Sequence, residues 1–270
     1  MDRFDNIGEW SEVKLEIVRK YAFAYSRILS AKSFIRRHVY IDAFAGKGQH
    51  ISKTTGEFIP GSPRNALLAD PPFSEYHFID LDADRVTAMN ELKGSRNDVE
   101  VYHGDCNEVL LNKVFRRCEY GNFARGLCLL DPYALSVNWD VLERAGHMKS
   151  IEIFYNFMIM DANMNVLWKN PDKVSPTQVA RMNAVWGDES WRDAAYRKAP
   201  TLFGEIEEKA GNDAIITAFQ TRLREVAGFK YVPDPIAMKN SSNAVVYYLF
   251  FASPDQTGGK IVSEIFDKYR

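Results

Sequence analysis

The sequence has few cysteines, no long hydrophobic run and no excess of basic charge, and each absence excludes a class of protein. Its longest apolar runs, 153–160 and 244–252, are shorter than the roughly 20 residues that a membrane-spanning helix needs. The formal net charge of -2 excludes a polycationic, histone-like binder, so a nucleic-acid partner would need a local basic surface. The polar and acidic stretch 1–10 does not have the pattern of a signal peptide, and we predict a cytoplasmic protein.

The three cysteines, Cys106, Cys118 and Cys128, form no Cys-x-x-Cys pair and leave an odd thiol if two of them join. Cys128 lies within the apolar run GLCLLD, where a thiol usually packs as a small hydrophobic group. We therefore predict no metal or redox site at the cysteines.

Short apolar segments alternate with segments of helical character along most of the chain. The apolar segments are 38–44, 75–82, 99–105, 126–132 and 150–157. This alternation predicts a mostly parallel sheet with helices on both faces. A helix precedes the first segment, because apolar residues recur at spacings of three and four from Leu15 to Leu29.

The second half of the chain departs from this alternation. Segment 161–200 is polar, is broken by proline and glycine, and contains three tryptophans. We interpret it as a helical insertion, either a lid that faces the substrate or a surface excursion. Further on, 231–238 and 244–253 flank a turn-forming KNSSN and predict an antiparallel hairpin. The sequence thus predicts one α/β domain over 1–270, with a Rossmann-like sheet, a C-terminal hairpin and a helical insertion.

Four of the predicted strands end in an aspartate, namely Asp42, Asp80, Asp105 and Asp131. Ligands of open α/β sheets bind at the carboxyl ends of the strands. We therefore expect the four carboxylates to converge on one crevice.

The segment YIDAFAGKGQH, residues 40–50, has the small residues and glycines that let a backbone approach a ligand closely. An NAD-binding fingerprint would need a third glycine where Ile51 stands. A phosphate-binding P-loop would need Ser or Thr after Lys47, but Gly48 stands there. Both nucleotide-binding motifs are therefore excluded.

What remains is an acidic residue followed by two glycines, Asp42, Gly46 and Gly48, and this pattern resembles motif I of class I methyltransferases. The resemblance implies that these residues, together with Ala43, hold S-adenosylmethionine. A glycine-rich turn without a ligand is the alternative.

Aspartates at the ends of the next two strands extend this resemblance. Asp80 closes the strand FID, where a carboxylate can accept hydrogen bonds from both ribose hydroxyls. Asp82 either shares this role or caps the following helix. Asp105 stands where class I methyltransferases often contact the adenine amino group, and it can also serve as an N-cap.

Asp131-Pro132-Tyr133 looks like a shortened form of the Asp/Asn-Pro-Pro-Tyr motif of amino-group nucleic-acid methyltransferases. In that motif the polar side chain and a carbonyl orient the exocyclic amine, and the aromatic ring stacks on the base. Here Tyr133 replaces the second proline and Ala134 stands at the aromatic position. A turn with a packing tyrosine therefore remains the alternative.

The ordered set of K-L-E-I-V-x-x-Y (14–21), Y-I-D-A-F-A-G-x-G, G-S-P, F-I-D-x-D, G-D and D-P-Y resembles the three-Cys-motif partner proteins, the TcmP family. Within this set, Ser62 is expected to cap a helix that begins at Pro63. The resemblance covers roughly the N-terminal half and implies a class I methyltransferase-like fold. It also implies a partner, a radical-S-adenosylmethionine-like protein that carries the three-cysteine motif.

These observations favour methyl transfer from S-adenosylmethionine to an amine or hydroxyl of DNA or RNA. Asp131 and Tyr133 would face the acceptor. A non-catalytic binding or regulatory partner that retains the fold is the main alternative, and a small-molecule methyltransferase is a weaker one. Two basic groups would support phosphate binding if they shared a face with Tyr133 and Trp168, namely Arg116, Arg117 and Arg125, and Arg222, Arg224 and Lys230.

Overall fold

The structure is a computed structural model, which describes residues 5–201 and 204–270. The helices are α1 (Glu9–Ser30), α2 (Ser62–Leu67), α3 (Ala83–Lys93), α4 (Cys106–Val109), α5 (Trp139–Met148), α6 (Ile159–Asn165), α7 (Pro176–Trp186), α8 (Trp191–Ala195), α9 (Asn212–Glu225) and α10 (Gln256–Phe266). The strands are β1 (Asp5–Ile7), β2 (Arg37–Asp42), β3 (Gln49–Ser52), β4 (Phe58–Pro60), β5 (Glu75–Asp80), β6 (Val99–His103), β7 (Ala124–Leu130), β8 (Ile151–Phe157), β9 (Tyr196–Thr201), β10 (Gly204–Lys209), β11 (Ile236–Lys239) and β12 (Val245–Ala252).

A seven-stranded sheet in the order β11-β12-β8-β7-β2-β5-β6 forms the centre of the molecule. The strands from β8 to β6 are parallel, and β12 is antiparallel to both of its neighbours. Strands β11 and β12 form the hairpin predicted at the C-terminal end. This is the Rossmann-like class I methyltransferase fold that the sequence predicts.

The central strands are buried on both faces, which explains why their sequences read as continuous apolar runs. In β8 every residue is buried, and in β2 all but the first are. Helix α1 packs on this sheet through the predicted stripe from Leu15 to Leu29, all of which is buried.

Two strands of a second, small sheet lie between β2 and α2. Strands β3 and β4 form an antiparallel pair, and β1 joins β3 in parallel, with Asp5 opposite His50. The sequence does not predict this small sheet, because its strands are three or four residues long and β1 pairs with a strand far along the chain.

Helix α2 begins one residue earlier than expected, with Gly61 rather than Ser62 at the N-cap. A side chain on Gly61 would come within 2.9 Å of the Gly48 backbone, so this close approach requires glycine. The expectation that Ser62 caps the helix is therefore wrong. Its hydroxyl instead lies near Asp42, where it acts on the pKa of that carboxyl.

The predicted insertion, 161–200, contains most of α6, all of α7 and α8, and most of β9, which pairs with β10 before α9 begins. Its last five residues therefore form a strand and not a helix. Trp186 and Trp191 are buried in the main core, and Trp186 packs against Phe219 of α9. Trp168 is 40% exposed. Most of the aromatic content of this segment therefore serves packing.

Candidate active site

A cavity of about 220 Å³ opens at the carboxyl ends of β2, β7 and β8. Its wall includes Phe44, Ala45 and Gly46 from the loop after β2, and Asp131, Pro132 and Tyr133 from the loop after β7. Helix α1 contributes Lys14, the small sheet contributes His50, and β8 contributes Asn156. The wall contains no residue of the 161–200 segment that the structure describes.

The two predicted glycines play different parts in this loop. Gly46 lines the cavity with a φ of +62°, and a Cβ added to it would meet open space. Gly48 also has a positive φ, of +70°, but its Cβ would lie 2.8 Å from Met89 Cε in the core. Ala43 is buried and continues the pairing with β7 through its N–H. Gly46 is thus the glycine placed to face a ligand, whereas Gly48 permits close packing.

Asp80 fixes the shape of the glycine loop from the neighbouring strand. Its Oδ2 accepts a hydrogen bond from Gly46 N at 2.9 Å, and its Oδ1 accepts one from Asp82 N at 2.9 Å. Asp82 is exposed and caps α3 by accepting from the N–H groups of Asp84 and Arg85. Of the two roles left open for Asp82, the structure shows the cap.

Asp42 is fully buried beneath the loop. Burial raises its pKa to about 7, against the opposing effect of the Ser62 hydroxyl. Its Oδ1 accepts from Phe44 N at 3.3 Å, while Oδ2 makes no hydrogen bond of normal geometry to any residue that the structure describes. Asp42 therefore supports the base of the loop and carries a carboxyl that titrates near neutrality.

Asp105 lies apart from the cavity. It follows the edge strand β6, is exposed, and caps α4 by accepting from Asn107 N at 2.7 Å and from Glu108 N at 3.4 Å. The carboxylates expected in one crevice are thus distributed: Asp131 lines the cavity, Asp42 and Asp80 support its loop, and Asp105 caps α4 away from it.

Asp131 is held from two sides. Lys14 Nζ donates to its Oδ2 and Asn156 Nδ2 donates to its Oδ1. The Lys14 side chain is only 10% exposed. Burial opposes its charge, but the nearby Asp131 carboxylate raises the pKa of Lys14 above its ordinary value. The cavity therefore contains a charged pair whose carboxylate is fixed in orientation.

Tyr133 stands at the mouth of the cavity and is 67% exposed. The Arg85 guanidinium lies 5.3 Å from the centre of its ring. Arg85 also lies 3.8 Å from Asp80 Oδ2, so it connects the loops that follow β5 and β7. An exposed ring beside a cation provides a surface on which a planar group can stack.

Among the residues that the structure describes, three buried polar atoms around the cavity have no hydrogen-bond partner, namely His50 Nδ1, Asn156 Oδ1 and the Tyr247 hydroxyl. Burial lowers the pKa of His50, which is therefore neutral at neutral pH. Buried polar groups in native proteins are nearly always paired, so such a group of exceptions indicates a place for a polar ligand. S-Adenosylmethionine, which carries an ammonium, a carboxylate and a purine, fits a wall of this kind.

Three residues of the cavity wall are not among those predicted from the sequence, namely Lys14, Asn156 and His50. Lys14 stands beside the apolar stripe of α1, and Asn156 interrupts the apolar run of β8. A polar residue within a strand that is buried on both faces is a signal that could have found Asn156. No comparable signal marks His50, since its strand was not predicted.

Cys106, Cys118 and Cys128 are free and buried, and burial raises the pKa of all three. Within residues 5–201 and 204–270, no cluster of His, Cys, Asp and Glu is placed to hold a metal ion. The helices of the same ranges include none with the length and apolar character needed to cross a membrane.

No protein-family model and no curated protein matches the sequence. Among solved structures, the fold is similar to a Legionella pneumophila protein of family DUF519, with a TM-score of 0.56 and 12% identity over 94% of this chain and 91% of that chain. A candidate methyltransferase from Thermobifida fusca matches with a TM-score of 0.41 and 13% identity over 88% and 80% of the two chains. One from Listeria monocytogenes matches at 0.42 and 11% over 88% and 99%. The likeness to the Legionella protein shows a shared fold and no more.

Proposed function

We propose that this chain binds S-adenosylmethionine and transfers its methyl group to an amine or hydroxyl of a nucleic acid. The observation that carries the proposal is the meeting of Gly46 and Asp131 in one cavity wall. The first belongs to the glycine loop that resembles motif I. The second belongs to the Asp-Pro-Tyr segment that resembles an acceptor-binding motif.

When bound, S-adenosylmethionine supplies an activated methyl group. The chain would then have to bind the cofactor, orient the acceptor and take up charge. Gly46 offers its open face to the cofactor, and Asp42 and Asp80 support the loop from below. Asp131 can accept a hydrogen bond from the acceptor N–H or O–H, because the second lone pair of each carboxylate oxygen remains available.

A nucleic-acid substrate is supported by Tyr133 and Arg85 at the mouth of the cavity. An exposed aromatic ring next to a guanidinium suits a splayed-out base, which stacks on the ring while the cation attracts its phosphate. The requirement for a radical-S-adenosylmethionine-like protein with the three-cysteine motif comes from the resemblance to the TcmP family. We include this partner in the proposal.

Calorimetric titration with S-adenosylmethionine and its demethylated product tests cofactor binding first. Methyl transfer from labelled cofactor to RNA, DNA and protein substrates, with and without the three-cysteine-motif partner, tests the reaction. Binding with label incorporation into nucleic acid would support the proposal. Absence of binding at millimolar cofactor would contradict it.

A non-catalytic binding or regulatory role is the second candidate, and two observations favour it. Both carboxylate oxygens of Asp131 already have partners, Lys14 and Asn156, and Ala134 replaces the expected aromatic residue. Cofactor binding without label transfer to any substrate, even with the partner present, would favour this alternative.

A further inference from the structure

A second and larger cavity lies at the other end of the strands from the candidate active site. It has a volume of about 350 Å³ and lies where β7 and β8 begin, with Arg125 and Glu152 in its wall. Arg125 lies near the start of β7 and Asp131 directly follows the end of this strand, six residues further on, which places the two about 20 Å apart. The two cavities share no lining residue within the described part of the chain.

Four basic side chains from different segments surround this cavity: Lys32, Arg125, Lys149 and Lys230. Within the ranges that the structure describes, none of them forms an ion pair. Two carboxyl groups, Glu152 and Asp255, also lie in the wall. Burial raises the pKa of Glu152 to about 7, so this group is only partly ionised at neutral pH. The cavity therefore has an excess of positive charge.

Aromatic rings complete the wall. Phe34 and Tyr120 are each 55% exposed at the rim, and the Arg125 guanidinium lies 4.1 Å from the centre of the Tyr120 ring. Tyr21 and Tyr25 of α1 line the cavity deeper in the molecule. Exposed aromatic rings next to unpaired cations bind planar groups and phosphates together.

The wall of the cavity also contains buried polar groups. Ser150 Oγ lies in the cavity wall, is buried, and has no hydrogen-bond partner among residues 5–201 and 204–270. Glu152 accepts hydrogen bonds from Tyr21 and Ser253 and retains capacity for more. Gly258 permits this arrangement, because a Cβ there would lie 2.6 Å from Glu152 Oε1. An aliphatic ligand would leave these groups unsatisfied, whereas a base or a ribose hydroxyl can pair with them.

We propose that this cavity is a second binding site, and that its ligand is a nucleotide unit with a planar base and a phosphate. The base would lie among the tyrosine rings, and the phosphate would meet Arg125, Lys149 and Lys230 at the rim. The unit can be a free nucleotide or one residue of a single-stranded nucleic acid. Neither source requires the methyl-transfer site to be active.

Calorimetric titration of the full chain with UMP, GMP, uridine and a short single-stranded RNA tests this inference. The base-and-phosphate requirement predicts that UMP or GMP binds at least tenfold more tightly than uridine. Binding of RNA alone would identify a strand as the source, and binding of mononucleotides would identify a free effector. Absence of binding to all of them at millimolar concentration would overturn the inference.

Single substitutions test whether the nucleotide binds in this cavity. Lys230→Glu changes an exposed side chain and should weaken nucleotide binding at least tenfold, as should Arg125→Ala. Lys169→Glu makes the same charge change at an exposed lysine outside both cavities and should leave binding unchanged. Asp80→Ala disturbs only the glycine loop at the carboxyl ends of the strands, and it should also leave nucleotide binding unchanged. Equal loss in Lys169→Glu, or loss in Asp80→Ala with Lys230→Glu unaffected, would place the nucleotide elsewhere.

Discussion

Lys14 of helix α1 and Asp131 at the end of β7 form an ion pair across 117 positions of the chain. The pair fastens the first long helix to the loop that carries the Asp-Pro-Tyr segment. Because Lys14 is almost completely buried, its charge depends on Asp131 for compensation. The orientation of the proposed acceptor-binding carboxylate therefore depends on a residue of the N-terminal helix.

Removing one partner of this pair should cost more stability than removing both. We expect Asp131→Ala to lower the free energy of unfolding by about 3 kcal/mol, because it leaves a buried ammonium unpaired. Lys14→Met combined with Asp131→Ala should recover at least half of that loss. Urea unfolding of the two single variants and the double variant measures the coupling. Additive losses would show that the pair is not coupled in solution.

The residues around this ion pair differ in whether the sequence alone could assign them to the site. Strand ends and glycines are local signals, so Asp42, Gly46 and Asp131 could be assigned to the carboxyl ends of the parallel strands from spacing alone. Lys14 and Asn156 reach Asp131 only through the packing of α1 and β8, which no local pattern encodes. The small β1-β3-β4 sheet was missed for the same reason, since β1 pairs with residues more than 40 positions away.

Gly46 and Gly48 should respond differently to alanine. Each has a positive φ, so each substitution costs about 1 kcal/mol of backbone strain. Gly48→Ala also pushes against Met89 in the core and should lower the free energy of unfolding further, whereas Gly46→Ala places its methyl group beside the cavity. Gly46→Ala should therefore reduce cofactor affinity more than Gly48→Ala does.

Thermal unfolding and calorimetric cofactor titration separate these two effects. Gly121→Ala is a suitable control, because Gly121 is exposed and a Cβ there would meet no atom within 4 Å. It should change neither quantity. If Gly48→Ala reduced cofactor affinity more than Gly46→Ala, the assignment of the ligand-facing glycine would have to be reversed.

Alanine substitutions of Asp80 and Asp82 should separate the anchoring of the glycine loop from the capping of α3. Asp80→Ala removes the acceptor of the Gly46 and Asp82 N–H groups, so it should weaken binding of S-adenosylmethionine at least tenfold. Asp82→Ala removes the cap of α3 and should lower the free energy of unfolding. Its cofactor affinity should remain within twofold of the wild type. Calorimetry that ranked the two affinities in the opposite order would contradict this assignment.

Asp42 should make the protein less stable as the pH rises towards neutrality. The ordinary pKa of an aspartate, 3.8, describes the unfolded chain, whereas burial raises the pKa of Asp42 to about 7 in the folded state. Between these values the folded protein keeps a proton that the unfolded chain has released, so stability falls as the pH rises. The slope is at most about 1.4 kcal/mol per pH unit for one such group, and the decline ends above the folded pKa.

Asp42→Asn keeps the shape of the side chain and cannot titrate, so it should remove this part of the pH dependence. Urea unfolding at half-unit steps from pH 4 to pH 8 measures the difference between the two proteins. Relative to the wild type, the variant should gain stability steadily up to about pH 7 and then no more. Glu152, whose pKa burial also raises to about 7, contributes a slope of the same sign, and Glu152→Gln should remove that share. Asp172→Asn, at an exposed position, is the control and should leave the profile unchanged. A constant difference between wild type and Asp42→Asn across the range would show that Asp42 titrates alike in the folded and unfolded states.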